Sequence, residues 1–451
     1  MKVVVVGGGI AGLAAARKLE ALIPDVNIEL LERSKLGGKI LTRLHDGFRV
    51  EGGPDSFLAR KKRGVGLCEE LGLADELIGR RPENARSFVR RGRELYPIPE
   101  GLTGMIPTDL ESLRDTPLLS SAGRDRLAAE VDVPPASTGA DESVASFVSR
   151  RLGREAYVRL VEPLLTGIYG GDGEQLSLRA TFPRLRELEL THGSLLHGLA
   201  SEPPSVFRYP AFVSLRGGMY KLVTALARSL QRTRIMGRMR VRAVQRLPGR
   251  YAVDDGSVVQ ADGVVLAVPA FVVADLLARL DPELAELHAE IPYSSSAVVT
   301  LGYRRQAVPN PLDGYGYVVP QTERSNVLAC TWTSSKWEGR APDDCVLLRV
   351  LCGRFERISD QNLLRLARDE VAMLGIRADP ILARIHRWPR GMPQYVLGHP
   401  ERLERIEEAV GRHPGLALAG AAYHGVGIPD CIHSGEEAAR SVARSLAGAP
   451  Q

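Results

Sequence analysis

A glycine cluster wedged between a short apolar run and a helical pattern constrains this chain more than any other feature. Val3–Val6 reads as a buried parallel strand, and Leu13, Ala14, Leu19 and Leu22 mark the apolar side of a following helix. Between them stand Gly7, Gly8, Gly9, Ile10, Ala11 and Gly12. Gly7 permits a tight turn, Gly9 lets backbone approach a pyrophosphate, and Gly12 brings helix and strand together. The first amides of the helix then face an anion, whose charge the helix dipole favours. Glu32 ends a second apolar strand, Ile28–Leu31, twenty residues after Gly12. A carboxylate there can hold ribose hydroxyls and would repel a 2′-phosphate. The bland alternative, a Gly-rich structural turn, leaves the flanking strand, helix and acid without a reason.

A second Gly-rich signature, Gly425-Val426-Gly427-Ile428-Pro429-Asp430, lies close to the other end of the chain. A site stitched from both ends suits a long, two-ended ligand such as FAD. NAD, by contrast, is held by one local unit.

The 451 residues, 44% hydrophobic and 25% charged, suffice for two or three domains with sizeable cores. A net charge of +5 is compatible with an anionic ligand or a membrane surface and does not indicate a nucleic-acid binder. Cys68, Cys330, Cys345, Cys352 and Cys431 stand singly, with neither a CxxC nor a zinc spacing, and fit small buried residues in a reduced cytoplasm. The longest apolar stretch, Val264–Ala274, is interrupted by Pro269 and closed by Asp275, far short of the ~20 residues a bilayer span needs. With a cofactor strand opening at residue 3, the expectation is a cytoplasmic chain without a signal peptide, at most peripheral at the inner face of the membrane.

The fold class expected is α/β: a Rossmann-like, doubly wound FAD-binding domain with a mixed-sheet substrate domain and a helical subdomain. Segments 1–78, 208–285 and 400–451 form the discontinuous FAD-binding domain, 79–100 and 286–399 the sheet domain, and 101–207 the helical subdomain. Ser87–Ile98 reads as a hairpin turning at Arg91-Gly92-Arg93, and Asp254-Asp255-Gly256 as another. Asp141-Glu142-Ser143 caps a helix over Val144–Leu152, and a further helix runs through Tyr157–Leu165. A helix ends at Leu230, followed by a strand near Arg240–Val244 and another at Val264–Val268. Alternation over 295–353 predicts a mixed or antiparallel sheet. Strand Leu416–Ala419 and a last helix from about Gly435 to Leu446 close the chain.

With these residues in view, the chain resembles the oxygen-dependent coproporphyrinogen and protoporphyrinogen oxidases, FAD proteins grouped with amine oxidases and phytoene desaturases. The resemblance covers nearly the whole chain. Its general flavin signatures are Gly7–Gly12, Glu32 and Gly37-Gly38-Lys39. More specific are Gly53-Pro54-Asp55-Ser56, Glu162–Tyr169, Cys330-Thr331-Trp332-Thr333, Met392-Pro393-Gln394-Tyr395 and Gly425–Ile432.

The resemblance implies non-covalent FAD, with Gly7–Gly12 on the diphosphate and Glu32, beside Arg33, at the adenosine ribose. Gly38 and Lys39, with Gly53, Pro54, Asp55 and Ser56, would line the stretch leading to the isoalloxazine ring. Val241 would pack near the adenine, and Trp388 with the Ile428-Pro429-Asp430 backbone would lie by the flavin. Amides at a helix start there can stabilise the negative charge that grows at N1 and O2 on reduction. Val241 and Trp388 also read as ordinary core residues. For the substrate, the resemblance places Gly167 and Ile168 in a loop against the macrocycle. Arg60 and Lys61, in the basic run Arg60-Lys61-Lys62-Arg63, would meet propionates; the same run also reads as a solvated face. Some relatives carry a propionate-binding Arg about one residue away from where Arg60 stands.

No catalytic dyad or metal-spaced His cluster is visible in the sequence. The implied reaction needs none, because flavin N5 accepts hydride from a meso carbon and the cofactor carries the chemistry. O2 would return the flavin and leave H2O2. Coproporphyrinogen III is the favoured substrate and protoporphyrinogen IX the alternative, in haem biosynthesis; they differ by two propionates against two vinyls. A flavin amine oxidase, a carotenoid desaturase and a non-catalytic tetrapyrrole-binding protein are rivals. Only 5% of the chain is aromatic, against the aromatic cage of an amine oxidase. A homodimer, membrane docking by 101–207 and a product-receiving chelatase are the partner expectations left open.

Overall fold

The computed structural model describes residues 1–103, 105–107, 109–136, 140–201 and 208–448. Parts of the stretch expected to form the helical subdomain and to dock on membrane, including 202–207, therefore lie outside the described residues.

The first apolar run becomes strand Lys2–Val6, at the centre of a five-stranded parallel sheet. It pairs on one side with Asn27–Glu32, beyond which lies Thr233–Gly237, and on the other with Gly263–Leu266, beyond which lies Leu416–Leu418. Strand order thus reverses beside the first strand, the point where open α/β sheets bind ligands. Helix Ile10–Leu22 covers one face, burying Leu13, Ala14 and Leu19. Leu22, expected on the same side, is exposed because the helix ends there.

The last helix packs against the first, and its actual start differs from the expected one. It runs over Ile428–Ala447 rather than from Gly435. Pro429 sits in its first turn, where a missing N–H costs nothing, and Asp430 Oδ2 accepts from Gly427 N at 3.1 Å. Gly427 and Pro429 thus form the helix entrance, where the resemblance implied one. Where the two helices cross, a Cβ on Gly435 would sit 2.1 Å from Ala11 O. Only glycine allows that approach.

A seven-stranded sheet forms the second layer, in the order Leu382–Pro393, Tyr293–Arg304, Cys345–Gly353, Val327–Trp332, Gly316–Val318, Phe88–Arg91 and Glu94–Pro97. All pairings are antiparallel except that of Gly316–Val318 with Phe88–Arg91, so the sheet is mixed. Its Ala297, Val299 and Leu301 face packs on helix Asp360–Ala372 through Leu363, Ala367 and Val371. Its other face, carrying Ser296, Val298 and Thr300, looks toward the Gly52–Gly53 turn.

Helices between residues 121 and 200 build a separate core around Phe147, Val148, Leu160 and Leu165. Ser143 Oγ accepts from Ser146 N at 3.0 Å and caps Val144–Leu152. The segment through Tyr157 is less regular than expected: a π-helical turn at Tyr157–Val161 precedes an α-helix over Glu162–Tyr169. A buried ion cluster braces this unit, with Arg151 and Glu130 side chains fully shielded and Arg150 and Arg186 on Glu189. No helix among the described residues is long and apolar enough to cross a membrane.

Candidate functional site: two glycine corners and the cleft between them

The first corner is built as its residue types require. Gly7 adopts φ +106°, and a Cβ on Gly12 would meet Gly7 O at 1.9 Å. In front of Gly9 there is open space, since an added Cβ would meet nothing within 4 Å. Gly9 also provides no side-chain cap, so the first-turn amides of Ile10, Ala11 and Gly12 are available to an anion. Glu32 Oε2 accepts from Gly8 N at 2.7 Å and Oε1 from Ser34 N at 2.7 Å, which fixes the carboxylate at the strand end. Arg33 beside it is exposed. Gly37 N donates to Gly8 O at 2.8 Å, bringing Gly38 and Lys39 against the corner. Desolvation holds the Lys39 ammonium below its ordinary pKa, and no carboxylate pairs with it among the described residues. An open backbone cradle beside an unpaired, partly desolvated cation fits a diphosphate-containing cofactor.

The second corner is carried by the start of the last helix. Lys61 Nζ reaches Asp430 Oδ2 at 2.6 Å, and a Cβ on Gly64 would meet Pro429 Cγ at 2.8 Å, so helix Lys62–Glu70 lies directly on this entrance. Tyr395 brackets the corner: its hydroxyl donates to Ala421 O at 2.7 Å and accepts from Gly425 N at 2.8 Å. The ring stacks on His399 at 4.2 Å, and its carbonyl accepts from Ser177 N at 2.8 Å. Gln394 Nε2 donates to Tyr169 O at 3.0 Å, fastening helix Glu162–Tyr169 beside the corner. Burial, with Asp430 nearby, raises the Tyr169 hydroxyl. The Met392–Tyr395 motif was legible in the sequence, but its work as a bracket was not, because it acts on backbone atoms of distant loops.

Other expected site residues have partners that the sequence did not announce. Asp55 does not present its carboxylate to a cleft. Burial alone would raise its pKa, but Lys336 and Arg349 outweigh burial and hold it well below the carboxylate range. Ser56 Oγ and Trp337 Nε1 complete this cage at 2.9 and 3.2 Å. Pro54 leads directly into it. Trp388 is half-buried and donates from Nε1 to Gly52 O at 2.7 Å, which joins the sheet to the Gly53 turn. Val241 precedes its strand, which begins at Ala243 rather than Arg240, and packs partly against the second core of the nucleotide domain. Met239, two residues before it, donates to Glu32 O at 3.0 Å, which puts this stretch beside Glu32.

Gly167 and Ile168 lie in a helix, not a loop, because Glu162 and Pro163 start a helical turn that continues to Tyr169. A Cβ on Gly167 would sit at an ordinary 3.7 Å from Val318 Cγ1, and Ile168 is 48% exposed. The basic run divides. Lys61 is tied to Asp430, and Arg63 is tied to Glu436 and Glu70 at 2.5 and 2.7 Å. Arg60 is exposed and has no carboxylate partner among the described residues. No group of three or more His, Cys, Asp or Glu residues in position to hold a metal exists among the described residues.

Known proteins resemble this chain over nearly its whole length. The flavin containing amine oxidoreductase family model matches residues 10–443. Coproporphyrinogen III oxidase of Bacillus subtilis is 34% identical over 97% of this chain and 96% of its own length. The chloroplastic protoporphyrinogen oxidase 1 of Arabidopsis thaliana is 29% identical over 97% of this chain and 87% of its own. A crystal structure from Exiguobacterium sp. 255-15, described as a candidate protoporphyrinogen oxidase, superposes with a TM-score of 0.88 at 35% identity, covering 98% of both chains. The Rossmann-like α/β fold and the FAD cofactor follow. With a glycine corner at the reversal of a parallel sheet and a family match over residues 10–443, this oxidoreductase belongs to the flavin containing amine oxidoreductase family.

Proposed function

We propose that this chain oxidises coproporphyrinogen III to coproporphyrin III, with three O2 consumed and three H2O2 formed. Each two-electron step removes a hydride from a meso carbon and a proton from the macrocycle; with tautomerisation between steps, the six hydrogens lost over three steps are four from meso carbons and two from pyrrole nitrogens. FAD, when bound, supplies the hydride acceptor. The observation that carries the reading is similarity, at 34% identity over 97% of the chain, to a protein named for this activity; the Gly53–Ser56, Glu162–Tyr169 and Gly425–Ile432 motifs, on which the resemblance rests, support it.

The residues then have assignable work. Gly7–Gly12 and the uncapped amides behind them hold the diphosphate, and Glu32 takes ribose hydroxyls in place of its contact to Gly8 N. The last helix presents its N-terminal end, with the Ile428 amide, toward charge that develops on the ring. Helix Glu162–Tyr169 offers the exposed apolar Ile168 as a wall for the macrocycle, with Gly167 leaving room beside it. Arg60 is the free cation of the basic run and the candidate propionate contact, whereas Lys61 must exchange Asp430 to serve. Attachment is non-covalent. Pro389, Arg390 and Gly391 follow Trp388, and the Cys431 thiol at the corner is pushed up to about 12 by burial, which keeps it protonated.

Protoporphyrinogen IX is the second reading, favoured by the similarity to the chloroplastic enzyme and by the apolar character of Ile168. Anaerobic mixing of the holoenzyme with each porphyrinogen decides between them. Faster bleaching of the oxidised flavin by coproporphyrinogen III is expected, and faster bleaching by protoporphyrinogen IX overturns the substrate choice.

A further inference from the structure

The Gly52–Pro54 turn is held from the sheet domain. Trp388 Nε1 donates to Gly52 O at 2.7 Å, and Arg349 Nη2 donates to Gly53 O at 2.6 Å. Both donors lie on the sheet face of Ser296, Val298 and Thr300: Ser296 pairs with Trp388 and Thr300 with Arg349. From the other side the turn is locked by Lys39, since a Cβ on Gly53 would meet Lys39 O at 1.9 Å. The turn is therefore clamped between two walls.

Behind it lies a charge cluster that does not balance. Lys336 Nζ and Arg349 Nη1 stand 3.2 and 3.3 Å from Asp55 Oδ2, and Arg340 Nη1 stands 3.5 Å from Glu51 Oε1. Three cations thus face two carboxylates. Arg340 and Glu51 side chains are fully buried, and those of Lys336, Arg349 and Asp55 are nearly so. The charged groups that reach the cluster from neighbouring elements add to the same sign: Arg80 beside Lys336, and Arg49 beside Arg340. Arg340 Nε and Arg349 Nε have no hydrogen-bond partner. An excess charge this shielded is costly to the fold and acts strongly on whatever lies next to it.

We propose that this cationic excess, delivered to the Gly52–Pro54 turn by Arg349, stabilises the anionic reduced form of the flavin, which makes Arg349 a positioning residue for the oxidation. The inference rests on the reading that this turn lines the isoalloxazine ring. Drawing the Gly53 carbonyl onto Arg349 turns the negative end of that peptide dipole away from the ring. The guanidinium adds positive charge from the same side. Both effects favour electrons on the ring at no reorganisation cost. The last helix is the other contribution proposed above, and Arg349 would act independently of it.

The test is the midpoint potential of bound flavin, measured by dye equilibration on the full-length holoenzyme. Arg349→Met is expected to shift the two-electron reduction equilibrium at least about tenfold toward the oxidised form, or about 30 mV downward. Asp55→Asn removes a negative charge and is expected to move it in the opposite direction, and Arg349→Lys to stay near the wild-type value. Unchanged potentials in both Arg349→Met and Asp55→Asn, or shifts of the same sign, overturn the proposal. If Arg349→Met does not retain flavin, the sign of the Asp55→Asn shift decides alone. Failure of the underlying flavin reading is distinguishable, because it appears as wild-type protein that takes up no FAD.

Discussion

Gly435 is the position at which a single methyl group is expected to open the cofactor site from a distance. The added Cβ in Gly435→Ala would lie 2.1 Å from Ala11 O and 2.9 Å from Ala11 C, both backbone atoms of the first helix. No side-chain rotation can relieve that contact. Restoring a separation of about 3.2 Å requires the two helices to part by roughly 1 Å, and overpacking of this kind costs about 1–3 kcal/mol. The strain falls on the two elements whose N-terminal ends carry Gly7–Gly12 and Gly425–Asp430. Moving them apart weakens both grips at once, so about 1.4 kcal/mol of the cost emerges as a tenfold higher dissociation constant for FAD. The assay is thermal unfolding with and without excess FAD. Ligand linkage raises the wild-type Tm, and the variant should show a lower apo Tm together with a smaller FAD-dependent rise. Gly411→Ala is the control: it also sits in a helix, its Cβ would meet nothing within 4 Å, and it should stabilise by up to about 1 kcal/mol. A Gly435→Ala protein with wild-type Tm and a wild-type FAD-dependent rise refutes the reasoning.

Tyr395→Phe removes the hydroxyl that joins Ala421 O to Gly425 N, and should cost about 2 kcal/mol and speed FAD release, read as recovery of flavin fluorescence on dilution. His399 is fully buried, and burial lowers its pKa to about 4. The unfolded chain therefore binds the proton more readily, so the His399 contribution is complete above about pH 6.5 and is lost as pH falls toward 4, by up to about 3 kcal/mol. Thermal scans across that window should show a loss of Tm that His399→Phe flattens. Arg60→Met should raise the KM for coproporphyrinogen III about tenfold, as expected for a lost charge-assisted hydrogen bond. Lys61→Met, whose side chain is 45% exposed and already paired to Asp430, should change it less and leave Tm nearly unmoved.

What the sequence made legible was local. Gly7, Gly12 and Glu32 are fixed by the chemistry of one turn and one strand end, so their spacing predicts their geometry. Ser143 announces its helix for the same reason. The residues whose work stayed hidden depend on partners far along the chain. Asp55 is neutralised by Lys336 and Arg349, and Tyr395 acts on backbone atoms of residues 421 and 425; no local pattern encodes either. The late estimate of the last helix has another cause. Gly425, Gly427 and Pro429 carry the composition of a loop, and only the bond from Gly427 N to Asp430 reveals an entrance cap. Gly167 was misplaced because a glycine in a motif reads as a turn, whereas Glu162 and Pro163 had already begun a helix.

The five-stranded parallel sheet takes its central strand from Lys2–Val6 and one edge strand from Leu416–Leu418, some four hundred residues later. At synthesis rates of about 5–20 residues per second, some 20–80 seconds separate the two. Throughout that interval the nascent first helix lacks helix Ile428–Ala447, which will cover it, and coenzyme loading waits for that helix. Nascent chains that stop short of Ile428 should therefore be colourless, with yellow colour acquired only once the last helix has been made.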